Sequence, residues 1–234
     1  MSNLLYSGKT KDVFDLGTGE LQLIFKNTVT GHNDGTVDPG GNQVVGEQLG
    51  IAEATIAMST HFYQLLQEAG IPTHYISSDI ASKEMIVKEA HLIGDGVEFI
   101  KRYRATGSLI RRHPDRYRDG ELVNITEFTL KDDANDDPLV TADELISDDL
   151  VTAEDLEQIT DIFEKSCTII HDELQRIGLE LWDIKLEIGL CENTDGEYEW
   201  SIIDEVGPGI MRVYKDGAKL DKLELAKIVT GITI

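Results

Sequence analysis

In Trp182-Asp183-Ile184-Lys185-Leu186-Glu187-Ile188 apolar and charged residues alternate without a break. Successive side chains leave a strand on opposite sides, so this pattern writes a strand with one apolar and one charged face. Asp183, Lys185 and Glu187 share the charged face; Trp182, Ile184, Leu186 and Ile188 share the other. The strand predicted over 181–190 is followed by the turn signal Asn193-Thr194-Asp195-Gly196 and by a second run over 197–206. A lone hairpin is marginal in water, so the rest of the chain must supply more strands or a helix to pack on it.

The helix is close at hand. Leu156, Ile159, Phe163, Cys167, Ile170, Leu174 and Ile177 step by three and four, which makes one apolar face. Thr152 is a fitting N-cap and Gly178 a fitting stop. Cys167 lies on that face and reads as core. A second helix is predicted from Ile51 to Ala69, closed by Gly70 and Pro72. Strands are predicted over 4–14, 21–25, 73–76, 84–88 and 97–103. A Gly- and Asp-rich loop runs from Gly31 to Gly46, with Asn33-Asp34-Gly35 and Asp38-Pro39-Gly40-Gly41 inside it. Loops of this length without structure are often functional. Lys131 to Asp149 reads as an acidic stretch around Pro138.

With Asp195-Gly196 as a two-residue turn, Glu187 falls opposite Asp204. Two opposed carboxylates repel, yet Trp200, Ile202 and Ile203 call for burial of that strand. A hard cation between them would relieve the repulsion, and Mg²⁺ commonly takes one or two carboxylates plus substrate phosphates. A solvated strand face would show the same alternation, so the pattern leaves both readings open.

Cations are scarce, which gives their placement weight. The 234 residues hold 21 Lys+Arg against 44 Asp+Glu, a net charge of −23. Such a surface repels nucleic acid and anionic lipid, and neither is expected as a partner. Gly8-Lys9-Thr10 suggests a P-loop, but the motif's first glycine falls on Asn3. What remains is a strand with Lys9 and Lys11 on one face, suited to a polyphosphate or simply solvated. Lys101, Arg102, Arg104, Arg111, Arg112, Arg116 and Arg118 crowd one segment around Ala105-Thr106-Gly107-Ser108. Amides, a hydroxyl and flanking arginines suit a phosphate.

Hydrophobic residues make up 41%, enough for one large domain or two small lobes around a cleft. Cys167 and Cys191 show no CxxC or zinc spacing. The start, MSNLLYSGKT, lacks the apolar region of a signal peptide, and no apolar run reaches membrane-spanning length. A cytoplasmic protein is expected.

Together these motifs resemble a known family. Tyr6-Ser7-Gly8-Lys9-Thr10-Lys11-Asp12-Val13-Phe14 is similar to the opening Y-x-G-K-x-K-x-[VI]-[YF] of SAICAR synthetases. Ala69-Gly70-Ile71-Pro72-Thr73-His74 resembles their A-G-I-x-T-H, and Arg102-Tyr103-Arg104-Ala105-Thr106-Gly107-Ser108 their R-N-x-A-A-G-S. Lys131-Asp132-Asp133, then Asp137-Pro138, resembles K-x-D followed by D-P. Asp183-Ile184-Lys185-Leu186-Glu187-Ile188-Gly189 is similar to D-F-K-L-E-F-G, and Asp204-Glu205 with Arg212 to D-E-x-S-P-D-x-x-R. The matches run in order across nearly the whole chain.

The resemblance implies an α+β fold of two lobes, a β-rich nucleotide-binding lobe over 1–88 and a larger α/β lobe over 89–234. It implies an ATP-dependent ligase that joins L-aspartate to a carboxylated imidazole ribotide through an acyl phosphate. By the same resemblance Lys9, Lys11, Val13, Val87, Lys88 and Lys131 would meet ATP. Glu187 and Asp204 would hold Mg²⁺. Arg102, Ser108 and Arg212 would hold the ribotide phosphate, with Asp183 and Lys185 at the reacting imidazole. The 31–46 loop would close over the substrates, and a homodimer is in keeping with the family. Some segments differ. The family's D-D-x-[TS]-A-x-[ND]-G becomes 27–35 here, its S-P-D becomes Gly207-Pro208-Gly209, and a last helix after Leu225 is not evident. The chain therefore reads as a shortened, divergent branch. The alternatives are an amide ligase using another amine or azole nucleotide, and a nucleotide-binding regulator without catalysis.

Overall fold

The computed structural model describes residues 3–32, 34–132, 135 and 137–233; Asn33 and Asp133 of the motifs above lie outside them. Strands β1 (Asn3–Ser7), β2 (Lys11–Asp15) and β3 (Glu20–Phe25) form an antiparallel meander. A separate hairpin follows, β4 (Thr28–Gly31) and β5 (Gln43–Glu47), then helix α1 (Ile51–Glu68). Strands β6 (Tyr75–Asp79) and β7 (Glu84–Lys88) complete a five-stranded sheet in the order β1-β2-β3-β7-β6.

The chain then builds an eight-stranded sheet. Its strands are β8 (Ala90–Leu92), β9 (Val97–Arg104), β10 (Leu122–Leu130), β11 (Leu139–Val140), β12 (Glu180–Glu192), β13 (Tyr198–Ile203), β14 (Met211–Lys215) and β15 (Ala218–Lys219). Helix α2 (Ser108–Arg112) joins β9 to β10; α3 (Ala142–Ser147) and α4 (Ala153–Arg176) precede β12; α5 (Lys222–Thr230) follows β15. The long strand β12 is the spine, pairing with β9 and β14 along its first half and with β8 and β13 along its second.

The alternation read from the sequence sets which sheet face is dry. Ile184, Leu186 and Ile188 are buried with Phe99, and α4 lies against β9 and β12. Its apolar stripe is fully buried at Ile159, Phe163, Cys167, Ile170 and Leu174. Phe163 meets Phe99 with ring centroids 5.7 Å apart, and Tyr103 Oη donates to the Cys167 carbonyl at 3.2 Å. The Thr152 hydroxyl accepts from the Asp155 amide, a capping box that closes the helix start. Helix α1 packs on β6, α4 and α5, so it ties the two sheets together. No helix among the described residues is long and apolar enough to cross a membrane.

The structure departs from the sequence reading at several places. Lys9 does not share a strand face with Lys11: Gly8 to Thr10 form the connection between β1 and β2, with the Gly8 amide on the Lys11 carbonyl at 2.8 Å. The hairpin turn has three residues, not two. The Asn193 amide donates to the Glu197 carbonyl, Gly196 sits at φ 80°, and the Asn193 side chain accepts from the Asp195 and Glu197 amides. A type I turn with a left-handed glycine shifts the pairing by one residue. Glu187 therefore faces Ile203, not Asp204. Trp182 leaves the inner face because β12 is bulged between Leu181 and Asp183, and it stacks on Tyr214 at 3.6 Å. The 31–46 segment is no structureless loop. Its ends are β4 and β5, and its crossing is so tight that a Cβ on Gly41 would lie 2.1 Å from the Gly31 carbonyl carbon. The acidic 131–149 stretch contains β11 and α3, the latter started by a Thr141–Glu144 capping box.

Just past β13, Asp204 is turned to φ 68° and its carbonyl is received in the core. Tyr63 Oη donates to it at 2.6 Å, and His74 Nε2 lies 2.9 Å away. A carbonyl can only accept, so Nε2 carries the proton. His74 is 4% exposed, and burial pulls its pKa down to about 4. The unfolded chain takes up a proton near pH 6.5 that the folded protein refuses until about pH 4. Stability supplied by neutral His74 is thus present above pH 6.5 and falls with acid by up to about 3 kcal/mol. His74→Gln should remove that slope; urea unfolding at pH 7 and pH 4 checks it, and equal pH dependence in both proteins would refute it.

Candidate functional site

Directly opposed residues of antiparallel strands share a face. Across β10, β9, β12 and β14 the register runs Ile125, Arg102, Asp183, Arg212. The next row is Glu127, Ile100, Lys185, and the next is Thr129, Glu98, Glu187. One face of the large sheet, away from α4, therefore gathers three arginine- or lysine-bearing and four acidic positions. The alternation seen along 182–188 was one line of this lattice.

At one end Arg102, only 2% exposed, is bound on every side. Its Nε donates to Glu127 at 2.6 Å, Nη1 to Asp183 at 2.9 Å and Nη2 to Ser108 Oγ at 2.8 Å. Arg212 Nη1 donates to the same Asp183 oxygen, while its Nε and Nη2 grip Asp38. The structure thus brings Arg102, Ser108, Asp183 and Arg212 together from three segments of chain. Burial pushes the Asp183 carboxyl up, against the Arg212 and Arg102 charges. Asp38 is the reverse: burial would raise it, but Arg212 holds it well below the usual carboxylate range. Arg102, Ser108, Asp183 and Arg212 line a cavity of about 280 Å³, together with Pro39, Gly40, Asn42, Arg111, Arg112, Asp137 and Lys185. Asp183 and Arg112, which line it, each carry a buried side-chain atom without a hydrogen-bond partner, Oδ1 and Nε. Leaving such a group unmet costs about 1–3 kcal/mol.

At the other end carboxylates and ammonium groups interleave. Lys131 Nζ donates to Glu187 at 2.7 Å, Lys185 pairs with Glu98, and Lys11 pairs with both Asp204 and Glu205. Burial lowers the Lys11 and Lys131 pKa values, but the Asp204, Glu205 and Glu187 charges outweigh it and raise both. Glu187 is pushed up to about 7, by burial and then by the Asp204 charge. Burial would raise Asp204 as well, but Lys11 and Lys131 hold it well below its usual range. Glu187 and Asp204 thus feel one another although they are not cross-strand partners. The turn at Asp204 sets its carboxylate beside Lys11, a placement the pairing alone would not give.

The remaining expected residues are scattered. Lys9 Nζ lies 3.3 Å from the Asn42 carbonyl, on the β4–β5 hairpin. Val13 and Val87 belong to the small sheet, and the Lys88 amide donates to the His74 carbonyl at 2.7 Å. Glu98, Glu127, Glu205 and Asp38 were given no role from the sequence, whereas Arg112 was named only as one of the cation cluster around Ser108. Glu98 had a signal, since it shares strand parity with Arg102. Asp38 had none, because its partners Arg212 and Lys219 lie at the far end of the chain.

Among the described residues no three or more His, Cys, Asp or Glu side chains are arranged to hold a metal ion. Two carboxylates, each already braced by a lysine, do fit an ion that draws its other ligands from phosphate oxygens and water.

The family model described as SAICAR synthetase matches residues 4–227. The phosphoribosylaminoimidazole-succinocarboxamide synthase of Clostridium tetani (strain Massachusetts / E88) is 41% identical over 228 residues, which span 97% of this chain and 99% of that protein. The solved phosphoribosylaminoimidazole-succinocarboxamide synthase from Ehrlichia chaffeensis aligns with a TM-score of 0.82 at 26% identity, covering 98% of this chain and 94% of that one. A SAICAR synthetase in complex with ADP gives a TM-score of 0.83 at 25% identity and covers 98% of each chain.

Proposed function

The chain belongs to the SAICAR synthetase family, and from that premise we propose how its two polar clusters divide the reaction. The fold is α+β and the activity is ATP-dependent formation of SAICAR, a step of purine biosynthesis. The nucleotide lies between a small lobe, 1–88, and a larger lobe, 89–234. Lys9, Lys11 and Lys131 hold its phosphates, and the segment of Val13, Val87 and Lys88 flanks its base. Glu187 and Asp204 hold Mg²⁺, which supplies charge to the transferring phosphoryl group when bound.

The carboxylated imidazole ribotide occupies the cavity, with Arg102, Ser108 and Arg212 toward its phosphate. Its carboxylate oxygen attacks the γ-phosphorus and ADP departs, leaving an acyl phosphate. The amine of L-aspartate attacks the carbonyl carbon, phosphate leaves with the C–O bond, and the nitrogen loses a proton. Lys185 steadies the negative charge on the carboxylate. The unpartnered Asp183 Oδ1 accepts a hydrogen bond from the ligand. The β4–β5 hairpin, whose Pro39 and Gly40 form part of the cavity wall, closes the site against water. A homodimer and a cytoplasmic location complete the reading.

One observation carries this assignment of roles: a cavity with an unpartnered acceptor adjoins, on one sheet face, a lysine–carboxylate cluster that can manage phosphoryl charge. ADP release is measured with ATP, the carboxylated ribotide and a panel of amino acids. Turnover should require aspartate. Turnover with another amine instead would move the protein to the alternative ligase, and tight ATP binding with no turnover would leave a regulator.

A further inference from the structure

Strand parity alone would misplace the Asp204 carboxylate. Ile203 stands opposite Glu187, and opposed residues share a face. Were β13 to run on regularly, the next side chain would leave on the face away from Glu187. Instead Asp204 turns at φ 68°, and its carboxylate joins that of Glu205 on Lys11. Glycine adopts such a φ freely, whereas an L side chain does so at a cost. A turn kept only for the fold would take glycine. An aspartate held there by its surroundings points to a use for its side chain.

The groups that hold the turn come from α1 and from residues 72–74. Tyr63 Oη donates to the Asp204 carbonyl at 2.6 Å and His74 Nε2 at 2.9 Å. On one side of it the Val206 amide donates to Ser59 Oγ at 3.1 Å. On the other, the Ile202 amide donates to the Pro72 carbonyl and the Ile202 carbonyl accepts from the His74 amide, each at 3.0 Å. Ser59, Tyr63 and His74 are all buried, and the Tyr63 ring stacks on Tyr75 with centroids 5.3 Å apart and planes 8° from parallel. The two donors therefore have no room to swing away. His74 also accepts, through its own carbonyl, from the Lys88 amide at 2.7 Å. One residue thus touches both the segment assigned to the base and the residue assigned to the metal.

We propose that Tyr63 and His74 are positioning residues for the metal-holding carboxylate: they clamp the Asp204 carbonyl, fix its left-handed turn and so aim its side chain to the Lys11 side. This rests on the reading of Glu187 and Asp204 as the Mg²⁺ holders and deepens it. A ligand that must find its own orientation binds an ion less tightly than one already set, because the ordering then falls on the binding step.

The test is calorimetric binding of Mn²⁺ to the protein in the presence of ADP, beside the Mg²⁺ dependence of ADP release and urea unfolding. Tyr63→Phe deletes one oxygen and keeps the stacked ring. His74→Leu deletes the second donor, whereas His74→Gln can return an N–H to the same place. Tyr63→Phe and His74→Leu should each weaken Mn²⁺ binding about tenfold and raise the Mg²⁺ requirement by the same factor, with the ribotide KM unchanged. His74→Gln should bind Mn²⁺ within about twofold of wild type. A clamp that serves the fold alone would lower the urea midpoint and leave Mn²⁺ affinity untouched in both loss variants, and that outcome overturns the proposal. So does an equal loss of Mn²⁺ affinity in His74→Gln and His74→Leu. If His74→Leu does not fold, Tyr63→Phe decides. Asp204→Asn tests the premise separately: wild-type Mn²⁺ affinity in that variant removes Asp204 from the metal site and overturns the proposal with it.

Discussion

Glu187→Gln is expected to lower kcat about a thousandfold while the protein stays folded. The amide is isosteric and can keep its oxygen on Lys131, whose Nζ now lies 2.7 Å from Glu187 Oε1. Only the charge is lost. That charge is costly in the free protein: burial and Asp204 push the Glu187 carboxyl up to about 7. A group whose folded pKa lies above its ordinary value weakens the fold as pH rises through that window. Removing it should therefore leave stability at pH 7 unchanged or slightly higher. A charge that stays costly even with Lys131 beside it is more readily understood as held for a ligand than for the fold. Urea unfolding and ADP-release kinetics on the same preparation check both halves. A kcat within tenfold of wild type, or a fold lost with the charge, would sink the assignment.

The second large effect is expected at Asp183, and here the fold is at stake. One oxygen, Oδ2, accepts from both Arg102 and Arg212. Asp183→Ala leaves two nearly buried guanidinium groups short of a counter-charge, and breaking such a buried pair costs about 3–5 kcal/mol. Arg102 keeps Glu127 and Arg212 keeps Asp38, so the lower end of that range is expected. Asp183→Asn separates the roles. Its amide oxygen can still serve the arginines, but the open acceptor at Oδ1 becomes a donor. It should cost about 1–2 kcal/mol of stability, yet raise the ribotide KM tenfold or more. Equal ribotide KM values for Asp183→Asn and wild type would remove Asp183 from the binding site, whatever the melting curves show.

Much of this architecture was legible where the physics is local. The α4 stripe, its Thr152 cap and the strand over Asp183 to Ile188 follow from periodicities of 3.6 and 2. The structure shows a helix at Ala153–Arg176 and a strand at Glu180–Glu192. The shared face of Asp183, Lys185 and Glu187 was visible for the same reason: a charged residue at every second position must share a face. Arg102 and Ser108 could be found because cations are rare in so acidic a chain. The β4–β5 hairpin was hidden by its Gly and Asp content, which reads as loop. Thr28, Val29 and Thr30 nevertheless pair with Val44 to Glu47, and two glycines pass within van der Waals contact at its crossing.

By itself the sequence determined helices α1 and α4, the strand over Asp183 to Ile188 with its dry and wet faces, and the family to which the motifs belong. Only the tertiary structure decided the hairpin register, because two- and three-residue turns differ by the Asn193 side-chain bonds and a left-handed Gly196, not by the apolar pattern. It alone decided that Asp204 stands beside Lys11 and that Asp38 grips Arg212 across 174 positions of chain. Periodicity reports contacts along a face within a few residues. Ion pairs between distant segments depend on how whole elements stack, and no local pattern carries that.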